Sequence, residues 1–365
     1  MSKQKVELLS PAGNLEKLKI AIKYGADAVY GGVSHFSLRI RASKEFTYET
    51  FKEAIDYAHE RGKKVYATIN GFPFNSQIEL LKTHIKKMAE LKPDAFIVAA
   101  PGVVRLCREI APEIDIHLST QANVLNYLDA QVFWDMGVKR IVVAREISLK
   151  DVMEIKKHLP DMEIEIFVHG SMCFAYSGRC LISAVQMGRV PNRGSCANDC
   201  RFEYTLYAGN DEHGSLFRLE EEPGVGTYIF NSKDMNLASH IKEILDSGAV
   251  DSLKIEGRTK SPYYAAVTAK AYRNAIDDYY DGKFEASKYQ RELYTTKNRG
   301  FTDAYLIHRP FEKTDSQNHD YALSKGSYEV TGLVTQDEEH FLCKYKVYPN
   351  EDIEIFTPMG EELVE

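Results

Sequence analysis

Short apolar runs recur along the chain at a period of roughly 30 residues, each after the first entered through a Gly or Pro break. Eight of them carry strand character: VELLSPAG (6–13), YGADAVYGG (24–32), KVYATIN (64–70), LKPDAFIVAA (91–100), IDIHLST (114–120), MGVKRIVVA (136–144), EIEIFVHG (163–170) and SGAVDSLKIEG (247–257). The stretches between them have helical spacing, as in NLEKLKIAIKY, YETFKEAIDYAHER and SLKDVMEIKKHL. Strands that are apolar on both faces and alternate with amphipathic helices predict an α/β protein, a (β/α)8 TIM-like barrel over 1–285. An open doubly wound sheet is the alternative, but no G-x-G-x-x-G follows the first strand.

The period breaks in two places. After the seventh strand comes an insertion over 170–235, cysteine-rich at first and then a hairpin pattern in FEYTLYAGNDEHGSLFRLEEEPGVGTYIFNSKDM (202–235). After the helix 261–284 the repeat stops. A polar connector over 286–325 is expected, then a small β module over 326–365 with strands in YEVTGLVTQ, HFLCKYKVY and EDIEIFTP. Three strands close poorly into a barrel, so this module is expected to be partial or to pair elsewhere.

At 365 residues and 44% hydrophobic content the chain accommodates a barrel of about 250 residues plus such an accessory. Its net charge of −7 excludes a global attraction for nucleic acid, leaving only local basic surface for that purpose. One such patch holds Arg179, Arg189, Arg193 and Arg201, with Asp199 the lone acid between 170 and 202. It suits either anion binding or a solvated loop. MSKQKVELLS lacks an apolar signal segment and no run of about 18 apolar residues occurs, so a cytoplasmic protein without membrane contact is expected.

Four of the six cysteines crowd behind the seventh strand, at Cys173, Cys180, Cys196 and Cys200. The spacing C-x6-C-x15-C-x3-C lacks the C-x2-C knuckles of structural zinc, and in a reducing compartment such clusters bind metal more often than they pair. This points to a 4Fe-4S centre, with zinc and unliganded thiols as the other readings. Cys107, in a helical pattern, and Cys343, in a strand pattern, are expected to be small packing residues. In a barrel the chemistry lies where strands end. Those positions hold Ser10, Asn70, Ser119, Gln121, Asn123, His169, Glu256 and Arg258, so the cysteines and the barrel pocket are expected to be neighbours.

The stretch EIFVHGSMCFAYSGRCLISAVQMGRVPNRGSCANDCR (165–201) resembles the collagenase-like peptidase family, peptidases of unassigned catalytic type. Supporting matches are ELLSPAGNLEKLKIAIKYGADAVYGG, LSTQANV, FNSKDM, DSLKIEGRTKSPYYAAV and NRGFT, so the resemblance spans nearly the whole chain. It implies two conflicting activities. The family carries a historical description as proteases. Several members instead act in hydroxylating RNA bases or ubiquinone precursors with a four-cysteine iron–sulfur cluster. The branch most similar to this chain forms 5-hydroxyuridine at the tRNA wobble position, with prephenate as oxygen source. In part of the family a ligand cysteine follows the SKD motif, whereas Met235, Asn236 and Leu237 follow it here, which makes Cys200 the fourth ligand. In NRGFTDAYL, Asp303 and Ala304 replace a small residue and a glycine.

Under hydroxylation, tRNA, a small dicarboxylate donor and a reductant or partner subunit are the expected partners. Arg39, Arg41, Arg193 and Arg258 are candidates for holding the donor or RNA phosphate, each also readable as a salt-bridge residue. Asn70, Gln121 and Asn123 suit a base edge or a carboxylate, or else loop backbone groups. Tyr176 suits base stacking, and Phe174 core packing. His169 suits proton transfer or orienting a cluster ligand, or a buried bond to backbone. Glu256 suits acid/base work, or more simply an ion pair with Arg258. For proteolysis, H-E-x-x-H and G-x-S-x-G are both absent. A non-catalytic RNA-binding scaffold with a structural metal is the third class.

Overall fold

The computed structural model describes residues 5–33, 36–38, 46–210, 212, 214–219, 230–308, 316–318, 326–328, 330–335, 340–348, 352–359 and 361–364. Seven parallel strands run in chain order: β1 (Glu7–Pro11), β2 (Ala28–Gly31), β3 (Lys64–Ile69), β4 (Ala95–Val98), β5 (Asp115–Leu118), β6 (Arg140–Val142) and β7 (Glu163–Ser171). The hairpin β8 (Leu206–Asn210) and β9 (Ser215–Leu219) and the short β10 (Asp234–Asn236) come next in the chain. The eighth barrel strand, β11 (Ser252–Ile255), pairs in parallel with both β1 and β7 and closes the cylinder. The expected (β/α)8 barrel is therefore the observed fold.

Around it lie α1 (Leu15–Lys23), α2 (Tyr48–His59), α3 (Ile78–Glu90), α4 (Pro101–Ile110), α5 (Tyr127–Asp135) and α6 (Leu149–His158), with α7 (Ile182–Met187) inside the cysteine segment. The helices α8 (Ile241–Asp246), α9 (Pro262–Tyr280) and α10 (Ala286–Tyr294) complete the set. Local chemistry sets where the wall helices begin: Asn14, Thr47, Ser148 and Ser261 each accept a backbone N–H in the first turn, and Pro262 follows Ser261 at the first helical position. Strand residues facing outward, such as Leu8, Val29, Phe96 and Ile164, form one continuous core with the helices. None of the helices among the described residues is long and apolar enough to cross a membrane.

β7 outruns the barrel. Its last residues, His169 to Ser171, pair antiparallel with β10, and β10 pairs with β12 (Phe301–Thr302), raising a small flap over one side of the mouth. Both α10 and β12 fall within the connector expected over 286–325. α10 buries Tyr289 and Leu293 and packs on α9, while β12 joins the main sheet. The two motifs FNSKDM and NRGFT meet here: the Arg299 guanidinium donates to Asp234 at 2.5 Å and to Asn231 at 3.3 Å, all three buried. The predicted hairpin appears as β8 and β9, with Leu206 opposite Leu219. In the C-terminal stretch, β13 (Gly332–Val334) pairs with β14 (Phe341–Cys343), and β15 (Ile353–Phe356) with β16 (Glu361–Val364). β15 docks on the barrel exterior, where Phe356 stacks on Tyr24 and receives the Lys270 ammonium at 4.1 Å.

Candidate active site

The barrel interior is built in layers. At the floor, three carboxylates meet two cations: Arg140 contacts Glu7 at 2.5 Å, Glu163 at 2.7 Å and Glu165 at 3.1 Å, and Lys254 donates to Glu165 at 2.7 Å. Burial alone would raise the Glu165 carboxyl, but Lys254 and Arg140 hold it below the usual carboxylate range. Above this floor Leu9, Ala28, Tyr30, Tyr66, Ala95 and Ile97 form an apolar plug. Its two tyrosines point opposite ways. Tyr66 donates downward to Glu7 at 2.7 Å, and Tyr30 donates at the mouth to the Ile255 carbonyl and to Glu256 at 3.2 Å.

Over the plug opens a cavity of about 160 Å³. All four clustered cysteines line it, together with Asn70, Gln121, Tyr176, Glu256 and Arg258, so the structure brings these predicted residues to one space. Arg258 is buried and donates to Ser37, Thr68 and the Leu38 carbonyl, while Asn70 accepts the Leu38 N–H, so both hold the segment 36–38 across the mouth. Glu256 stands between Tyr30 and the Arg145 guanidinium, the latter at 3.9 Å. Gln121 accepts from Ser119, while its buried amide nitrogen has no partner.

The cysteine segment is stapled to the strand ends at one point. The Glu146 carboxylate accepts the Ser177 N–H and hydroxyl, both at 2.9 Å, and the Asn123 amide donates to the Ser177 carbonyl while accepting from Arg179. Gly178 follows at φ 72°, where a Cβ would meet Gln121 at 2.8 Å. Farther along, Arg193 stacks on Phe74 at 4.2 Å and donates to Gln77, tying the loop to the start of α3 and not to the cavity. The six cysteines are free of disulfides. Burial pushes the Cys180 and Cys200 thiols up; Cys173 and Cys196 add to this, while Arg201 and Arg299 pull Cys200 the other way. Thiols so placed are poor free nucleophiles. Among the described residues, no three His, Cys, Asp or Glu side chains converge on a single ion-sized point.

His169 lies behind the wall. A register shift between Lys254 and Ile255 places it opposite Ile255, and its ring packs among Tyr264, Tyr272 and Phe301. Burial lowers its pKa to about 3, against the opposing pull of Asp234, so it is neutral at physiological pH. The structure does not bring it to the cavity. Phe174, expected in the core, is half-exposed at the cavity rim and packs edge-on against Phe230. Cys343 is likewise exposed, because its two-stranded sheet leaves it uncovered, whereas Cys107 is buried in α4 as expected, its thiol pushed up to about 12. Ser10 is buried, and Met235 packs in the wall core, away from the cavity that Cys200 lines. Arg39 and Arg41 lie outside the described residues.

Sequence reading missed Tyr30, Arg145, Glu146 and Lys254. Arg145 and Glu146 directly follow the sixth apolar run, the same position that singled out the other strand-end residues. Lys254 sits between Leu253 and Ile255; a charge in an apolar strand that alternates inward is a signal for a barrel-interior ion pair.

Residues 13–316 match the family described as peptidase family U32. Tested against known proteins, the chain is 68% identical over 353 residues to tRNA hydroxylation protein P of Helicobacter pylori, covering 97% of this chain and 84% of that protein. It is 40% identical over 398 residues to tRNA hydroxylation protein P of Escherichia coli, covering 98% and 87%. A collagenase of Porphyromonas gingivalis is 31% identical over 314 residues, covering 82% and 73%. With that span matched and relatives at these identities, the chain belongs to peptidase family U32.

Proposed function

We propose that the protein is an RNA hydroxylase that converts the wobble uridine of tRNA to 5-hydroxyuridine, with prephenate as oxygen source and a 4Fe-4S cluster on Cys173, Cys180, Cys196 and Cys200. The observation that carries this reading is that all four thiols and the polar barrel mouth open on one cavity, in a chain 68% identical to a tRNA hydroxylation protein. The donor set fits a cluster better than zinc. Four thiolates spaced without the C-x2-C knuckles of structural zinc are the donor set an iron–sulfur cluster takes. A cubane distributes its ligands over four irons, and all four cysteines line one cavity. Bound there with all four thiolates, it would supply electron transfer, since no iron position stays open.

The protein's own groups divide the remaining tasks. Phe174 and Tyr176, both exposed at the rim, offer rings to an unstacked base, and exposed Arg179 and Arg189 offer charge to the flanking phosphates. Glu256, hydrogen-bonded by Tyr30, is the carboxylate at the cavity, and neutral His169 is not available as its acid partner. This reading carries with it a cytoplasmic location and a cellular reductant as partner.

The test is anaerobic purification with iron and sulfide analysis, followed by incubation with unmodified tRNA and prephenate and mass analysis of the nucleosides. About four irons and four sulfides per chain are expected, with 5-hydroxyuridine formed only when prephenate is present. Cys196→Ala is expected to lose the visible chromophore and the modification together. Wild-type levels of modification in cells carrying that variant would refute the cluster-dependent reading.

A further inference from the structure

Phe74 stands in the loop between β3 and α3, just beyond the cavity-lining Asn70 in the chain, and is 57% exposed. An exposed phenylalanine by itself means little. This one is held in place. The Arg193 guanidinium lies over its ring, 4.2 Å from the centre. One acceptor fixes both halves of the pair: the Gln77 side-chain oxygen takes the Phe74 backbone N–H at 3.0 Å and the Arg193 guanidinium at 2.9 Å. The Phe72 N–H donates to the Asn192 carbonyl at 3.3 Å and ties the two loops together beside the pair.

Both side chains keep capacity that the fold does not use. The guanidinium covers one face of the ring, and more than half of the Phe74 side chain is still in water, room for a second flat group. Gln77 is the one hydrogen-bond acceptor of Arg193 among the described residues, so further N–H groups of its five-donor fork are open. No acidic residue occurs over 70–78 or over 170–198 to oppose an anion. A flat apolar ring beside an arginine with open donors is the recognition chemistry of a single-stranded nucleotide, ring for base and guanidinium for phosphate. Position then says which nucleotide. Pro191, Asn192 and Gly194 line the cavity and Arg193 between them does not, so the pair stands where the cavity wall ends. A base reaching into the cavity has its neighbour in the strand outside, at this rim.

From these observations we infer that Phe74 and Arg193 form a second nucleobase platform: the Phe74 ring stacks on a base adjoining the target nucleotide, and Arg193 takes a phosphate beside it. The inference rests on the RNA reading above and adds to it a nucleotide that is bound and not modified. Phe74 is a substrate-binding residue in this role, away from the reacting atoms.

The experiment measures binding of a synthetic anticodon stem–loop with an unmodified wobble uridine to the anaerobically purified full chain, by fluorescence anisotropy. Loss of one base–aromatic stack predicts binding weakened about fivefold or more in Phe74→Ala. Phe74→Leu, apolar but not flat, should be as weak, and Phe74→Tyr should bind as wild type does. Stem–loops lacking the base on the 5′ or the 3′ side of the uridine identify the partner: with one of the two, Phe74→Ala should cost nothing further. Arg193→Gln should reduce the slope of log affinity against log salt by about 0.7. Visible absorbance should match wild type in every variant. Wild-type affinity in Phe74→Ala or Phe74→Leu, full additivity with both base deletions, an unchanged salt slope in Arg193→Gln, or no binding by wild type overturns the inference. If Phe74→Ala binds as wild type does and wild type forms 5-hydroxyuridine in whole tRNA, the platform falls and the hydroxylase reading stands. If wild type binds the stem–loop through Phe74 yet leaves whole tRNA unmodified, the hydroxylase reading falls and the platform stands.

Discussion

Replacing Arg140 by Met removes the cation around which the barrel floor is arranged. Arg140 is 5% exposed and touches three carboxylates, of which Glu165 is fully buried, Glu7 is 13% exposed and Glu163 30% exposed. Breaking a buried pair by removing one partner costs about 3–5 kcal/mol. Here Glu165 keeps Lys254, Glu7 keeps the Tyr66 and Ser252 hydroxyls, and Glu163 can turn to water, so a loss near the lower end, about 3 kcal/mol, is expected at neutral pH. The pH dependence carries the mechanism. In the native protein the Glu165 carboxyl lies below its ordinary value, so its contribution is present above the unfolded pKa and lost as pH falls through the folded one. Without Arg140, burial dominates and the folded value rises. The variant then gains relative stability as acid protonates the carboxyl, and the penalty should shrink between about pH 7.5 and pH 5. Urea unfolding followed by far-ultraviolet circular dichroism at both pH values reads it. Adding Glu7→Gln should recover about 1 kcal/mol by removing one stranded charge. An equal penalty at both pH values, with no coupling to Glu7→Gln, would refute the reasoning.

Three further outcomes are expected. Ala304 sits at φ 53°, where an L-residue costs about 1–2 kcal/mol, so Ala304→Gly should raise unfolding stability by about 0.5–1 kcal/mol after the added entropy of the unfolded chain; a loss in the same urea titration would contradict this. Glu146→Ala strips both acceptors from Ser177 and should speed tryptic cleavage at exposed Arg179 several-fold, without changing cleavage elsewhere in the barrel. Arg299→Met takes the guanidinium from the buried Asp234 carboxylate in β10, leaving it the backbone N–H of residue 299; a loss of about 3 kcal/mol is expected, and a variant as stable as wild type would show that the flap contributes little.

What the sequence determined by itself is local. The eight strands are legible because each apolar run is short, buried on both faces and bounded by Gly or Pro, signals that need no distant partner. The hairpin β8–β9 and the helix α9 follow from period alone. The strand-end rule located Gln121, Glu256 and Arg258, and with the cysteine spacing it brought the four thiols to the same cavity. Tertiary structure decided the rest. α10 and β12 hide in a polar stretch because their stability comes from packing on α9 and pairing with β10. His169 was expected at the mouth from its place at the end of the seventh strand, but a register shift against β11 sets it opposite Ile255, where its ring packs among Tyr264, Tyr272 and Phe301 away from the cavity. The layered floor of Glu7, Arg140, Glu165 and Lys254 joins residues 247 positions apart in the chain at the most. Arg145 shows the same limit: its neighbours Phe167 and Glu256 join it only when the sheet closes, because closure into a barrel is what makes alternate residues of distant strands share one interior.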